Sequence, residues 1–276
     1  MNKLLTLAAA IVMAAVTFGG PAVAWENIKE MNEQIDQTNF IVGGGCSGTL
    51  ISIEYRLILT AHHCIKGKIR KVKRDVIGSD GELEEVTFEK RNRVKIEQKD
   101  YAKYETVGSI SYQTEILAYD KKHDLALLQL VGKNIRSTMA APVRPVDDEI
   151  LRGETVFAIG NPMGLDATIT SGVVSSTNRK FKVSFRQIDE MNMLQFDAGI
   201  AGGSSGGALT DGQGRVIGVV VAGARGTELG FAIPIFDLYP MLDELCMASI
   251  YDADADDEAC AIERDAEDEE DEEEDE

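Results

Sequence analysis

The sequence predicts an all-β domain of barrel or sandwich type, and three observations predict it. Short runs rich in Val, Ile and Thr recur from Phe40 onward, about ten of them, each bounded by glycine or another turn former. The chain has 276 residues, 44% of them hydrophobic, which suffices for one large domain or two small ones. No internal repeat of solenoid or propeller period is found.

Taken in order, residues 1–24 stand apart from the fold. Lys3 precedes an uncharged apolar run from Leu4 to Phe18, followed by "GGP" and by Ala22 and Ala24 at cleavage spacing. This is the pattern of a secretory signal peptide cut before Trp25. The run is shorter than the roughly 18 to 20 residues that span a bilayer. After it, Ile28, Met31 and Ile35 recur at helical spacing, which predicts a short helical segment within 25–39. The strands that follow read "FIVGGGCSGTLIS", "RLILTAHHC", "EEVTFEK", "DLALLQL", "ETVFAIGNP", "TITSGVVSS", "KVSFRQ", "MLQFDAG", "RVIGVVVAG" and "ELGFAIPI". "FDLYPMLDELCMAS" breaks the alternation and reads as a closing amphipathic helix. Between the second and fourth of these strands, residues 66–120 are charged and open with the basic run "KGKIRKVKR". That segment reads as a solvated strand edge or loop, or as a basic surface within reach of the chain's own acidic end.

Charge is uneven. The formal net charge is −19, but residues 252–276 hold 17 acidic residues against one arginine, leaving 30 acidic against 27 basic elsewhere. The domain is therefore nearly neutral and carries no nucleic-acid signature. The tail from 251 to 276 cannot bury a core and is expected to be disordered, a solubilising extension or a dock for a basic partner. With export, four cysteines suggest up to two disulfides in three possible connectivities, neighbours pairing being the simplest: Cys46 with Cys64 and Cys246 with Cys260. No CxxC pair exists, so no metal site is expected, and no cofactor.

"AGGSSGGAL" at 201–209 offers two serines. A serine attacks only when a base takes its proton and donors hold the resulting oxyanion. The chain has three histidines, His62 and His63 in "LTAHHC" and His123 in "KKHDLALLQL", so the candidate bases are few. On local pattern alone His62 and His63 are equivalent, as are Ser204 and Ser205.

"TAHHC", "DLALLQL" and "GGSSGGAL" resemble, in order, the three motifs of trypsin-like (chymotrypsin-fold) serine proteases. "AIGNPMGLDATITSGVVSS", "FDAGIAGGSSGGAL" and "LGFAIPI" are similar to the HtrA/Deg branch. The resemblance runs from 42 to about 245, apart from 66–120. It implies a double β-barrel of chymotrypsin type over 40–250, with a short N-terminal helix, a C-terminal helix and a barrel boundary near 135–150. It also implies His63 as base, Asp124 as its orienting carboxylate and Ser205 as nucleophile, with Gly203 and Ser205 N–H groups as the oxyanion hole. His62 and His123 would face away, and Asp100 and Asp120 are rival carboxylates that do not head an apolar strand. The Cys46–Cys64 disulfide fits the same resemblance, joining the first strand to the histidine loop.

Two departures matter. "IVGG" at 41–44 imitates an activated trypsin terminus, yet Ser204 stands where an Asp would receive it, so activation by cleavage is not expected. No stretch after 250 has room for the PDZ domain usual in HtrA proteins, so trimerisation is not implied and the oligomeric state stays open. Gly199, six residues before Ser205, would sit at the base of the primary pocket with Ile200 and "VVVAGARG" as apolar walls. The expectation is an exported (periplasmic or secreted) serine endopeptidase acting on polypeptides after small or medium aliphatic residues. It would bind no nucleic acid and insert stably in no membrane once the signal is removed. The competing expectation is a catalytically silent binding protein of the same fold whose acidic tail docks a basic partner.

Overall fold

A computed structural model describes residues 28–77, 82–102, 105–132, 134–181, 191–224 and 226–262. Residues 1–27 and the acidic residues from 263 lie outside these, so the expected signal peptide and the expectations for that part of the tail fall outside the described residues.

Helix α1 (Ile28–Thr38) leads into β1 (Asn39–Val42), β2 (Cys46–Ser52) and β3 (Leu57–Ala61). After the single turn α2 (His62–Ile65) come β4 (Ile69–Ile77), β5 (Leu83–Arg91), β6 (Val94–Ala102), β7 (Glu105–Asp120) and β8 (Leu125–Leu130). Six of these strands close into an antiparallel barrel in the order β1-β2-β3-β8-β7-β6. A second closed barrel, β10-β11-β14-β13-β12-β9, is built from β9 (Thr155–Gly160), β10 (Thr168–Phe181), β11 (Met191–Phe196), β12 (Ala208–Asp211), β13 (Val216–Gly223) and β14 (Gly230–Pro234). This is the double barrel the resemblance implies. Helix α3 (Tyr239–Glu244) follows the second barrel and packs against β7 of the first.

Burial explains why "LILTA" and "DLALLQL" read as unbroken apolar runs. Side chains alternate across a strand, and both faces of β3 and β8 are covered. Ile58, Ala126 and Leu128 fill the first barrel with Phe40, Leu50 and Ile96. Leu57, Leu59, Leu125 and Leu127 point the other way and meet Met193, Val219, Val221 and Ile233 of the second barrel. The second barrel has its own filling, including Val156, Leu194, Phe196 and Leu209. The cleft between barrels therefore has a rigid apolar floor, and residues at its edges are held in register by both sheets.

Two expectations are refined. Of the alternatives for residues 66–120, the solvated strand holds and the loop does not: β4 pairs with β5 as a separate hairpin, and β6 pairs with the long β7 before rejoining the barrel. Only β5 shows in the sequence, as "EEVTFEK"; its partner β4 is solvated on both faces and has no apolar period to betray it. The closing helix is also shorter than 236–249. Cys246 takes a left-handed backbone (φ 51°), and Met247 N–H turns back to the Leu242 carbonyl, which ends α3.

Both neighbouring cysteine pairs are disulfides. Cys46–Cys64 ties the start of β2 to α2. Cys246–Cys260 folds the chain end back on α3, where Asp257 accepts from Tyr55 Oη of the first barrel at 2.7 Å. In the connection between barrels, the buried Arg144 is neutralised by Asp148, Glu154 and Asp211, which moors that segment to β12. Paired in this way the buried charge is tolerated, whereas loss of its carboxylates would strand it.

Candidate active site

Asp124 heads β8 and is 1% exposed. Its backbone is left-handed (φ 56°), a conformation that costs a non-glycine residue about 1 kcal/mol and persists where contacts over-determine it. Three contacts do so here. The Asp124 carbonyl accepts His62 N–H at 3.0 Å, and Oδ1 accepts His63 N–H at 2.8 Å. Oδ2 lies 2.7 Å from His63 Nδ1. One carboxylate thus grips both the backbone and the ring of His63, which assigns the Nδ1 proton to the Asp124 side and leaves Nε2 for the cleft. Cys64 Sγ lies 3.6 Å from that Nε2 and 3.7 Å from the Ser205 carbonyl oxygen, so the disulfide sits where histidine and serine elements meet. Because both sulfurs are joined, neither Cys46 nor Cys64 is the thiolate that a metal beside His63 would need.

The other histidines have partners of their own. His62 stacks on Tyr119, ring centroids 5.0 Å apart, and burial pushes its imidazole below the usual value despite the nearby Asp124 charge. His123 pairs with Asp120, and Asp100 pairs with Arg136 at 2.7 Å, so both rival carboxylates are engaged away from His63.

The serine side is built from backbone. Ser205 O accepts Ser47 N–H at 2.8 Å and Ser205 Oγ lies 3.4 Å from the Val221 carbonyl. Ser204 is different: its Oγ accepts Ala201 N–H at 3.3 Å and is buried within its own turn. Gly203 has φ +105°, and a Cβ there would collide with the Asn161 carbonyl oxygen. Gly206 has φ +84°, and a Cβ would strike the Ser47 carbonyl and Thr60 Oγ1. Only glycine meets both the conformation and the close approach.

A cleft of about 290 Å³ opens beside Ser205, lined by Ile200, Val220 to Ala224 and Leu229, with Thr227 and Glu228. Gly199 does not line it; its carbonyl instead accepts Thr170 Oγ1 at 2.7 Å beside a separate crevice. Ile200 lines both.

Two further residues are given no role by the motifs. Ser47 Oγ, fully buried, donates to the Gly203 carbonyl at 2.8 Å and accepts Asn161 N–H at 2.8 Å. Asn161 Nδ2 also donates to the Phe40 carbonyl at 3.1 Å. Ser47 shows in the sequence only as a polar residue within an apolar strand beside Cys46, whereas Asn161 lies in the "AIGNPMG" run of the resemblance, which assigns it no role.

Among curated proteins, the chain is 41% identical over 150 residues to the serine protease Do-like HtrB of Bacillus subtilis, covering 51% of this chain and 32% of that one. It is 36% identical over 138 residues to a probable periplasmic serine endoprotease, DegP-like, of Chlamydia muridarum, covering 49% of this chain and 26% of that one. The chain therefore spans about a third or less of the length of these relatives. Among solved structures, Deg5 superposes with a TM-score of 0.52 at 26% identity, over 79% of this chain and 96% of that one. The trypsin-like peptidase domain family matches residues 46–219. The chain belongs to that family, with HtrA/Deg proteases among its relatives.

Proposed function

We propose that the protein is an exported serine endopeptidase that cleaves polypeptides through Ser205, His63 and Asp124. The observation that carries this reading is the 2.7 Å contact between His63 Nδ1 and the buried Asp124, with the Ser205 turn across the Cys46–Cys64 disulfide. Ser205 Oγ attacks the scissile carbonyl carbon while His63 Nε2 takes its proton. The carbonyl oxygen becomes an oxyanion, received by Gly203 and Ser205 N–H groups. As the C–N bond breaks, His63 returns the proton to the leaving amine and the acyl group stays on Ser205. Water then attacks the ester with His63 again as base, releasing the acid and restoring the serine. Asp124 holds the ring in place and steadies the imidazolium that forms.

The apolar cleft supports cleavage after small or medium aliphatic residues, taken by Ile200, Val220, Val221 and Leu229. Export is supported by the leader pattern, by two disulfides and by the periplasmic naming of a relative. Among the described residues no helix is long and apolar enough to cross a membrane.

Ser205→Ala tests the reading. Wild type should degrade an unfolded protein and take up a fluorophosphonate, while the variant does neither, its turnover falling by about 10⁴-fold or more. Equal labelling of both would remove Ser205 as nucleophile. No labelling of either would favour a silent binding protein of the same fold.

A further inference from the structure

The loop between β9 and β10 packs against the serine turn, with the Asn161 carbonyl crowding Gly203 and a hydrogen bond joining the two. Met163 N–H donates to the Gly202 carbonyl at 2.6 Å. In a trans peptide the C=O and the following N–H point in opposite directions. Pinning the Gly202 carbonyl toward Met163 therefore turns the Gly203 N–H the other way. No acceptor among the described residues takes that N–H.

The loop that supplies Met163 N–H is strained and exposed. Met163 (φ 54°) and Ala167 (φ 48°) are left-handed without being glycine, and the Met163 side chain is 76% exposed. Such a conformation persists only when its surroundings over-determine it. At the base, Asn161 Oδ1 accepts Ala167 N–H at 3.1 Å. At the far side, Asp166 Oδ2 accepts Tyr101 Oη at 3.0 Å and Thr106 Oγ1 at 2.9 Å, from the β6–β7 hairpin of the first barrel. Burial alone would raise the Asp166 carboxyl, but the two hydroxyls, its own backbone amide and the Lys99 charge hold it below the usual range, ionised and able to accept both.

We propose that Asp166 is a positioning residue for the oxyanion hole, bracing the Pro162–Ala167 loop on the β6–β7 hairpin so that Met163 holds Gly203 N–H toward the cleft. The proposal rests on the reading of Ser205 as nucleophile given above. The brace lies within one chain, so the hole is assembled by the first barrel reaching across to the second.

Two variants test it: Asp166→Ala, and the double change Tyr101→Phe with Thr106→Val, which removes the donors and keeps the carboxylate. kcat and KM are measured on a fluorogenic peptide, together with inhibition by a peptide aldehyde, whose adduct oxygen occupies the hole. Binding of the uncleaved peptide is measured with each change placed on Ser205→Ala. The expected result is a kcat lowered by about tenfold, with aldehyde affinity lowered in step, because one donor is loosened rather than removed. KM and uncleaved-peptide affinity should stay within about twofold, since neither depends on a transition-state contact. Unchanged kcat in the double variant overturns the brace. So does a loss of peptide affinity equal to the loss in kcat, which marks general loosening. If Asp166→Ala does not fold, the double variant decides, because it deletes only two hydroxyls from partly exposed positions. A wild type and Ser205→Ala that label equally with fluorophosphonate defeat the underlying reading and the brace with it. A clear labelling contrast with unchanged double-variant kinetics defeats the brace alone.

Discussion

At the cleft the first barrel presents side chains and the second presents backbone. His63 and Asp124 bond through ring and carboxylate, 2.7 Å apart, on a turn held by β3 and β8. The 201–207 turn of the second barrel presents a serine among peptide groups, shaped by glycines that cannot carry a Cβ. The difference teaches where each half is vulnerable. A side-chain pair is rigid when its strands are buried on both faces, as β3 and β8 are. A backbone donor has no rotamer to lock it, so it must be held by contacts from elsewhere. Ser47 of the first barrel and Met163 of the second supply them.

Four changes would break or sharpen this contrast, in descending order of effect. Gly203→Ala should be the most severe, because the new Cβ must displace the Asn161 carbonyl or turn the peptide. Steady-state kinetics should show kcat down by about 10² to 10³ with little change in KM. Removing the disulfide by Cys46→Ser with Cys64→Ser acts on the first barrel instead. It opens a closure of 18 residues, and chemical denaturation should show a loss of about 3 kcal/mol. An unchanged denaturation midpoint would show that β2 and α2 are held without it.

Ser47→Ala lies between the two halves. It deprives the Gly203 carbonyl and Asn161 N–H of their shared buried partner, for about 1 to 3 kcal/mol. If the turn depends on the first barrel, kcat falls along with stability; a stability loss with full kcat would show the two barrels to be independent there. The smallest effect concerns His62→Phe, which keeps a ring against Tyr119 and removes a titration. The fold holds the His62 imidazole at a depressed value, so it favours the neutral form. Its contribution is complete above the unfolded value of about 6.5 and is lost as pH falls below it. Denaturation at several pH values should show wild type losing stability on acidification more steeply than His62→Phe. Parallel pH curves would assign the acid sensitivity to other groups.

Much of this is legible in the sequence alone. The alternation of apolar and turn residues marked most barrel strands, and three ordered motifs singled out His63, Asp124 and Ser205 for their proposed roles. Of the β4–β5 hairpin, β5 was legible as "EEVTFEK" but β4 was not, because a basic strand solvated on both faces carries no hydrophobic period. The pocket was legible in part: Ile200 and Val220 to Ala224 of "VVVAGARG" do line the cleft beside Ser205, whereas Gly199, placed by counting back from Ser205, lies beside a separate crevice.

By itself the sequence determined the all-β class and which residue types lie in each motif, because strand periodicity and turn chemistry are local. It left His62 and His63 equivalent, and Ser204 and Ser205 likewise, until a family resemblance separated them. Tertiary structure distinguishes them physically: Asp124, 61 residues from His63, binds that ring and not its neighbour, and Ser204 spends its hydroxyl inside the turn. Tertiary structure alone also set Ser47 and Asn161 against the serine turn, and Asp166 against the β6–β7 hairpin, because their partners lie far away in the chain. Such contacts leave no local pattern; they exist only once two closed barrels bring their edges together.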